Sequence, residues 1–580
     1  MFRQFIIPIV FTVLFAHPSA WADEAEDNAV KLLFEMKVGV ERDEKAPGKP
    51  VTMVQFSHRK ATDADLKLLA PLKNLTKLYL ENSEVTDAGL KELAPLQNLT
   101  SLTIQGSPVT DAGLKELAPL QNLNYLSLRN TRVTGTGLKE LNSLKNLKGI
   151  DLLGPDLTDT GLKELAHFAN LNYLTIGGKQ ITDVGLKEVA QLSELTYLGI
   201  DGSQATDLGL KDLTSLKKLT SLNIVRTPIT NAGLKEIAKI PTLTSLGVNA
   251  TKITDAGLKE LKPLRNLKSL GFVEAQLTGI GLKELASHKD LIKLSLHDTP
   301  VNDEGLKGIA QLRNLNDLSL VNTKITDAGL KELAPLDKLG RLSLRGTQVK
   351  GSGLKDLAPL RNLSRIYIDL KQVTDEALHA LKQAKLLHTL GYAYGANFAI
   401  PTKPEEVTML NLNTTSVTDE GMKALADLNN LTELSLIDTK VSGDCLVHLH
   451  LKKLTTLTLD GEQITDVGLK ALRQAGSIHA LTCALAGDFA KSEFKKPKNP
   501  DDITIFFLNK TQITDAGLKE LIPLKNLTTL QLRDTLVSDV GLNDLAKMKN
   551  LKTLDLRGTL VTFAGEIALR KKLPNCAIYR

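Results

Sequence analysis

Leu99-Thr-Ser-Leu102-Thr-Ile104-Gln-Gly-Ser107-Pro-Val109-Thr-Asp-Ala-Gly113-Leu114-Lys-Glu-Leu117-Ala-Pro119-Leu120 reads as one complete structural unit. Leu102 and Ile104 alternate with Thr103 and Gln105, so one face of a short strand points inward and the other outward. Val109 brings the chain inward again after a turn. Thr110 and Asp111 offer side-chain oxygens to the unpaired amides at the start of a short helix. Leu114 and Leu117 pin that helix to the core, and Pro119 ends it, because a helix interior has no room for a ring without an amide proton. Gly113 serves either a close approach of neighbouring helices or a strained turn dihedral.

The unit repeats in both directions. Its glycine recurs at Gly89, Gly113, Gly137, Gly161, Gly185, Gly209, Gly233, Gly257, Gly281, Gly305, Gly329 and Gly353, a constant step of 24 residues. The pattern resembles the leucine-rich repeat, L-x-x-L-x-L-x-x-N-x-L, with helix-bearing units like those of ribonuclease-inhibitor-type proteins. With its dominant phrase T-D-A-G-L-K-E-L, the chain resembles a bacterial subclass of secreted leucine-rich-repeat proteins. The resemblance implies an α/β fold: a right-handed horseshoe or arc of about 22 turns, with a parallel concave sheet and short convex helices. At about 4.8 Å per strand, that sheet runs about 100 Å along its arc. Where the family places a laddering Asn, this chain has Ser83, Ser107, Thr131, Ser203, Thr227, Thr251, Thr299, Thr323 and Thr347. A hydroxyl is expected to make a similar ladder between turns, with fewer donors than an amide.

A length of 580 residues normally implies several domains, but a repeat array grows without a central core. The formal charge of +6 comes from 72 basic and 66 acidic residues without any basic block, which gives a nucleic-acid partner little support. Residues 1–22 read as a signal peptide: Arg3, an apolar run from Phe5 to Ala16, and cleavage after Ala22. That run is too short to span a bilayer, so no membrane span is expected in the mature chain, which would lie in the periplasm or outside the cell. Trp21 is the only tryptophan, so the processed protein should show tyrosine emission alone; tryptophan fluorescence from the exported fraction would refute cleavage there. Residues 23–50 are expected to form an N-terminal helical cap, with Val30, Leu33, Phe34 and Val38 on its buried face. Leu573–Tyr579 resembles a closing strand.

The rhythm breaks at three similar places: Lys49-Pro50-Val51-Thr52, Lys403-Pro404 to Val407-Thr408, and Lys498-Asn-Pro500 to Ile503-Thr504. They divide the array into residues 51–396, 397–490 and 491–580, with helix-free breaks near 391–406 and 482–502. Loops of that length often mark function or linkage. Cys445, Cys483 and Cys576 are too few for a disulfide framework and read as small buried apolar residues.

No phosphate loop, nucleophile elbow, H-E-x-x-H or C-x-x-C occurs, and His448 and His450 lack further metal ligands at suitable spacing. Neither catalysis, a cofactor nor a metal is expected. Function should lie where the frame stays constant and the outward residues vary. The column before the first strand leucine reads Lys77, Ser101, Tyr125, Gly149, Tyr173, Tyr197, Ser221, Ser245, Ser269, Lys293, Asp317, Arg341, Arg365. Tyr125, Tyr173 and Tyr197, bordered by Arg129 and Asp201, should share one patch suited to a protein or an envelope glycan. Lys293, His297, Arg341, Arg345 and Arg365 form a second, basic patch. The leading expectation is an exported, non-catalytic scaffold that binds through its concave strand face. A regulatory adaptor or effector of the F-box-associated repeat type and a self-associating envelope protein remain open alternatives, as does the oligomeric state.

Overall fold

A computed structural model describes residues 24–57, 59–488 and 493–580; the expected signal peptide lies outside the described residues. The chain divides into two units, one ending at Leu243 and one running from Thr244 to Arg580.

In the first unit the strands follow the repeat. Val51–Phe56, Lys77–Glu81, Ser101–Gln105, Tyr125–Ser127, Gly149–Leu153, Tyr173–Gly177, Tyr197–Asp201 and Ser221–Val225 pair in chain order, each parallel to the next. The register places Leu78 against Leu102, Leu126, Ile150, Leu174, Leu198 and Leu222 in turn. All seven side chains are buried. A single unit has no partner for that face, so burial of each leucine, worth about 1.5–3 kcal/mol, depends on its neighbours being stacked. The cap is a helix, Glu24–Glu35, followed by a strand, Gly39–Arg42, antiparallel to Val51–Phe56. Ala29, Leu33 and Val38 are buried there, but Phe34 is 73 % exposed, so the expected apolar face was one residue too wide.

The recurrent glycine has a specific cause. Thr110 donates its amide to Asp87 Oδ1 at 2.7 Å and its hydroxyl to Asp87 Oδ2 at 2.6 Å. The same clasp joins Asp63 to Thr86, Asp159 to Thr182 and Asp183 to Thr206. A Cβ on Gly113 would sit 2.4 Å from Asp87 Oδ1, and one on Gly185 would sit 2.3 Å from Asp159 Oδ1. Neither glycine has a positive φ. Close approach, not backbone strain, is what each position demands. The Thr hydroxyl also caps its own helix, accepting from the Ala112 amide in the case of Thr110. That helix, Asp111–Leu117, is wound as 3₁₀, whereas Asp183–Val189 is α-helical.

The hydroxyls of the ninth position do not form the expected ladder. Thr131, Thr299, Thr323 and Thr347 donate to the carbonyls of Leu128, Leu296, Leu320 and Leu344 within their own turns, at 2.6–2.8 Å. Hydroxyl contacts between turns are few: Ser203 meets Thr227 at 3.5 Å, and Thr347 accepts from the Gln372 side chain at 3.3 Å. A hydroxyl that donates its one proton within its own turn has none left to donate to the next. The asparagine ladder stands elsewhere. Asn98, Asn122 and Asn146, where the chain enters each strand, donate to the carbonyls of Lys73, Gln97 and Gln121 at 2.9–3.0 Å.

The second unit continues the pattern. Ser245–Asn249, Ser269–Gly271, Lys293–Ser295, Asp317–Ser319, Arg341–Ser343 and Arg365–Tyr367 pair in order and in parallel. Two further parallel sets follow, Met409–Asn411 to Thr456–Thr458 and Ile505–Phe507 to Ala577–Tyr579. At both breaks the helix side stays stacked while the strand side is interrupted. Thr418 clasps Asp375 at 2.8 and 2.6 Å, and Thr514 clasps Asp466 at 3.0 and 2.5 Å. These partners lie 43 and 48 residues apart in sequence, against 23 in the regular turns. The extra residues form one additional strand at the first break and two at the second, where Glu493–Lys495 pairs with Ala484–Asp488. Ala393–Tyr394 runs antiparallel to Met409–Asn411, and Ala484–Asp488 antiparallel to Ile505–Phe507. Each Lys-Pro phrase therefore follows an antiparallel strand, as the first one follows Gly39–Arg42.

Candidate binding surface on the strand face

Adjacent parallel strands place equivalent residues side by side, about 4.8 Å apart. Register sets Tyr125 beside Gly149, Gly149 beside Tyr173, Tyr173 beside Tyr197, and Tyr197 beside Ser221. Tyr173 and Tyr197 stack, with ring centroids 4.5 Å apart and planes 7° from parallel. Tyr125 lies two strands from Tyr173, yet their centroids are 6.0 Å apart in an edge contact. Gly149 allows this: a Cβ there would sit 2.7 Å from Tyr125 Cδ2. The sequence placed the three tyrosines together, and they do form one cluster. The role of Gly149 as the gap that closes it was not legible.

Beneath the rings runs a second outward row of Ser127, Asp151, Thr175, Gly199 and Asn223. Thr175 donates to the Tyr173 hydroxyl at 3.2 Å, and Ser127 and Asn223 bond the hydroxyls of Tyr125 and Tyr197. Asp151, which sequence reasoning passed over, is only 4 % exposed. Its Oδ2 meets Arg129 Nε at 3.0 Å, whereas its Oδ1 is buried without a hydrogen-bond partner. Burial pushes the Asp151 carboxyl up to about 6, more than Arg129 and the Leu153 amide pull it down. Burial, reinforced by the charge of Asp151, pushes the Tyr125 hydroxyl up to about 12 and raises that of Tyr197, so both rings are neutral at physiological pH.

Arg129 and Asp201, the two residues expected at the border of the patch, are each engaged in an ion pair. Asp201 is held by Arg226 through bonds of 2.9 and 2.6 Å, a pairing across 25 residues that local spacing does not reveal. Arg129, Leu153, Gly177, Lys179, Asp201 and Arg226 line a hollow of about 550 Å³ at the far end of these strands.

The family model for the leucine-rich repeat region matches residues 158–406, and a second leucine-rich-repeat model matches 72–94 and 96–118. The chain is a leucine-rich-repeat protein. Among solved structures, this leucine-rich-repeat chain is similar to an internalin from Listeria monocytogenes, with 24 % identity and a TM-score of 0.42 over 59 % of this chain and 94 % of that one. It is also similar to a leucine-rich-repeat protein of Leptospira interrogans, with 20 % identity and a TM-score of 0.35 over 90 % and 99 % of the two chains. A plant peptide hormone receptor, RGFR1 in complex with RGF2, gives 15 % identity and a TM-score of 0.37 over 93 % of each chain. No curated protein matches it.

The basic patch of this leucine-rich-repeat protein does not hold together as a set. Lys293 and Arg341 are exposed in one column, separated by Asp317. The His297 imidazole bonds Ser319, and burial lowers its pKa below the usual value, so it carries no charge at neutral pH. Arg345 lies over the Tyr367 ring, 5.5 Å from its centroid. Arg365 is 4 % exposed and is not a surface residue. Its guanidinium donates to the carbonyls of Leu390 and Ala393 at 3.2 and 2.5 Å and covers Tyr394, 5.0 Å from the ring centroid. The first break folds back over that column, and the sequence offered no sign of it. Arg365→Ala should therefore cost about 2 kcal/mol, because it leaves the Ala393 carbonyl without its donor, while the Leu390 carbonyl keeps the Ala393 amide. Hydrogen exchange should show lost protection across residues 390–408; unchanged protection there would refute the anchoring role.

Proposed function

We propose that this chain is an exported, non-catalytic scaffold that holds a protein or cell-envelope component against the tyrosine cluster. The observation that carries the reading is the contact of Tyr125, Tyr173 and Tyr197 on the outward strand face. Aromatic residues make up only 4 % of the chain, so three half-buried rings in contact on an outward face are a costly use of them. Such rings offer broad apolar area with little conformational entropy to lose on binding. Ser127, Thr175 and Asn223 engage the tyrosine hydroxyls, which favours presentation of the rings over acid–base chemistry. Export rests on the reading of residues 1–22, and no described helix is long and apolar enough to cross a membrane.

The test is cross-linking of the mature protein in its own cell fraction, followed by identification of what is attached. Replacing Tyr125, Tyr173 and Tyr197 together by Ala should abolish capture while the thermal melt stays near wild type. Capture that persists in the folded triple variant would sink the reading.

A further inference from the structure

We propose that the tyrosine cluster and Asp151 form a subsite for a cationic side chain, the guanidinium or ammonium group of a protein partner. The inference rests on the strand-face reading above and names what that face recognises. Asp151 is buried between Ser127 and Thr175, and only one of its carboxylate oxygens is satisfied, by Arg129. Oδ1 makes no well-formed hydrogen bond among the described residues, and the Leu153 amide near the carboxyl does not offset its burial. A buried carboxylate oxygen without a donor is an unmet requirement of the fold, and a ligand that supplies the donor meets it. The surrounding rings decide between donors, since aromatic rings attract cations over neutral groups and a charged donor makes the stronger bond to a carboxylate.

The chain shows the same preference elsewhere. Arg345 covers Tyr367 at 5.5 Å, Arg365 covers Tyr394 at 5.0 Å, and Arg580 covers Phe563 at 5.9 Å. Among the described residues no such cation covers Tyr125, Tyr173 or Tyr197. The cluster therefore combines uncapped rings with an anionic oxygen that lacks a donor. Tyr125 closes the space over Gly149 and is held by an edge contact, unlike the stacked pair, so it is the ring that turns aside on entry.

The probes are acetyl-Gly-Arg-Gly-amide, its neutral citrulline isostere, and maltotriose, each titrated into the full-length mature protein and followed by saturation-transfer NMR. The arginine peptide should bind saturably, and the citrulline peptide at least about tenfold more weakly. Asp151→Asn and Tyr173→Ala should each weaken the arginine peptide about tenfold while the protein stays folded. Equal binding of the citrulline peptide, a wild-type affinity in Asp151→Asn, binding of maltotriose alone, or no arginine binding would each overturn the subsite. If partner capture still depends on the tyrosines in those cases, the scaffold reading stands without it. Capture that ignores the tyrosines, alongside Asp151-dependent peptide binding, would remove the broader reading and leave the subsite.

Discussion

Gly113→Ala is expected to destabilise the first unit by about 3 kcal/mol, the opposite of what helix propensity predicts. In an unconstrained helix the same change stabilises by about 1 kcal/mol, because alanine loses less backbone entropy. Here the added methyl would sit 2.4 Å from Asp87 Oδ1, inside any allowed contact, and 3.0 Å from Asp87 Cα, at the tight limit. Either the turns separate or the carboxylate leaves Thr110, whose amide and hydroxyl it accepts. Loss of bonds to a charged acceptor costs about 1.5–3 kcal/mol, and overpacking adds about 1–3 kcal/mol. A repeat array need not unfold in one step, so the measurement is hydrogen exchange by segment. Protection should fall around Ser101–Gln105 and its neighbours and stay unchanged in Thr553–Asp555. The decisive control is Asp87→Ala, in whose background Gly113→Ala should cost much less, since only the tight approach to Cα of residue 87 remains. An undiminished penalty there would mean that the carboxylate is not what the glycine accommodates.

This coupling marks the boundary of what the sequence could reveal. The glycine interval, the inward leucines and the helix starts were all legible, because local periodicity dictates them. What each glycine faces was not, since Asp87 and Gly113 stand 26 residues apart and meet only when turns stack. The same limit explains the hydroxyls. Position nine suggested a ladder between turns, but Thr131 reaches the Leu128 carbonyl first. The amides that do ladder, such as Asn122, sit at the strand entrance, where an Asn reads as an ordinary turn residue.

The candidate site divides in the same way. Tyr125, Tyr173 and Tyr197 were placed by counting alone, since parallel register makes equal spacing equal to adjacency. Arg365 was misplaced by the same count, because the strand face is open only where nothing folds back on it. Leu390 and Ala393 belong to such a return. Asp151 went unnoticed because an acid at an outward strand position ordinarily reads as solvated. Its burial follows from Tyr125 leaning over Gly149, a consequence of one missing side chain in the next strand position.

That burial sets up the second large effect. Asp151→Asn should stabilise the protein by up to about 3 kcal/mol at pH 7 and above, and by little near pH 4. The Asp151 carboxyl titrates at about 6 in the folded chain, against an ordinary value of 3.8. Between these values the folded state holds more protons than the unfolded state, so stability falls as pH rises through the window. Above about pH 6 the full cost of the buried charge is present, and a difference of about two pH units corresponds to about 3 kcal/mol. Asparagine removes the charge but keeps an acceptor oxygen for Arg129, which is 43 % exposed and otherwise hydrated. Denaturant melts of both proteins from pH 4 to 8 should therefore converge at low pH and diverge as it rises. A variant less stable than wild type at pH 7, or parallel pH profiles, would refute the account. A buried charge that weakens the fold in this way is retained where binding requires it. The variant expected to be the more stable is thus also the one expected to lose the arginine peptide, and a gain in stability without that loss would separate the two effects.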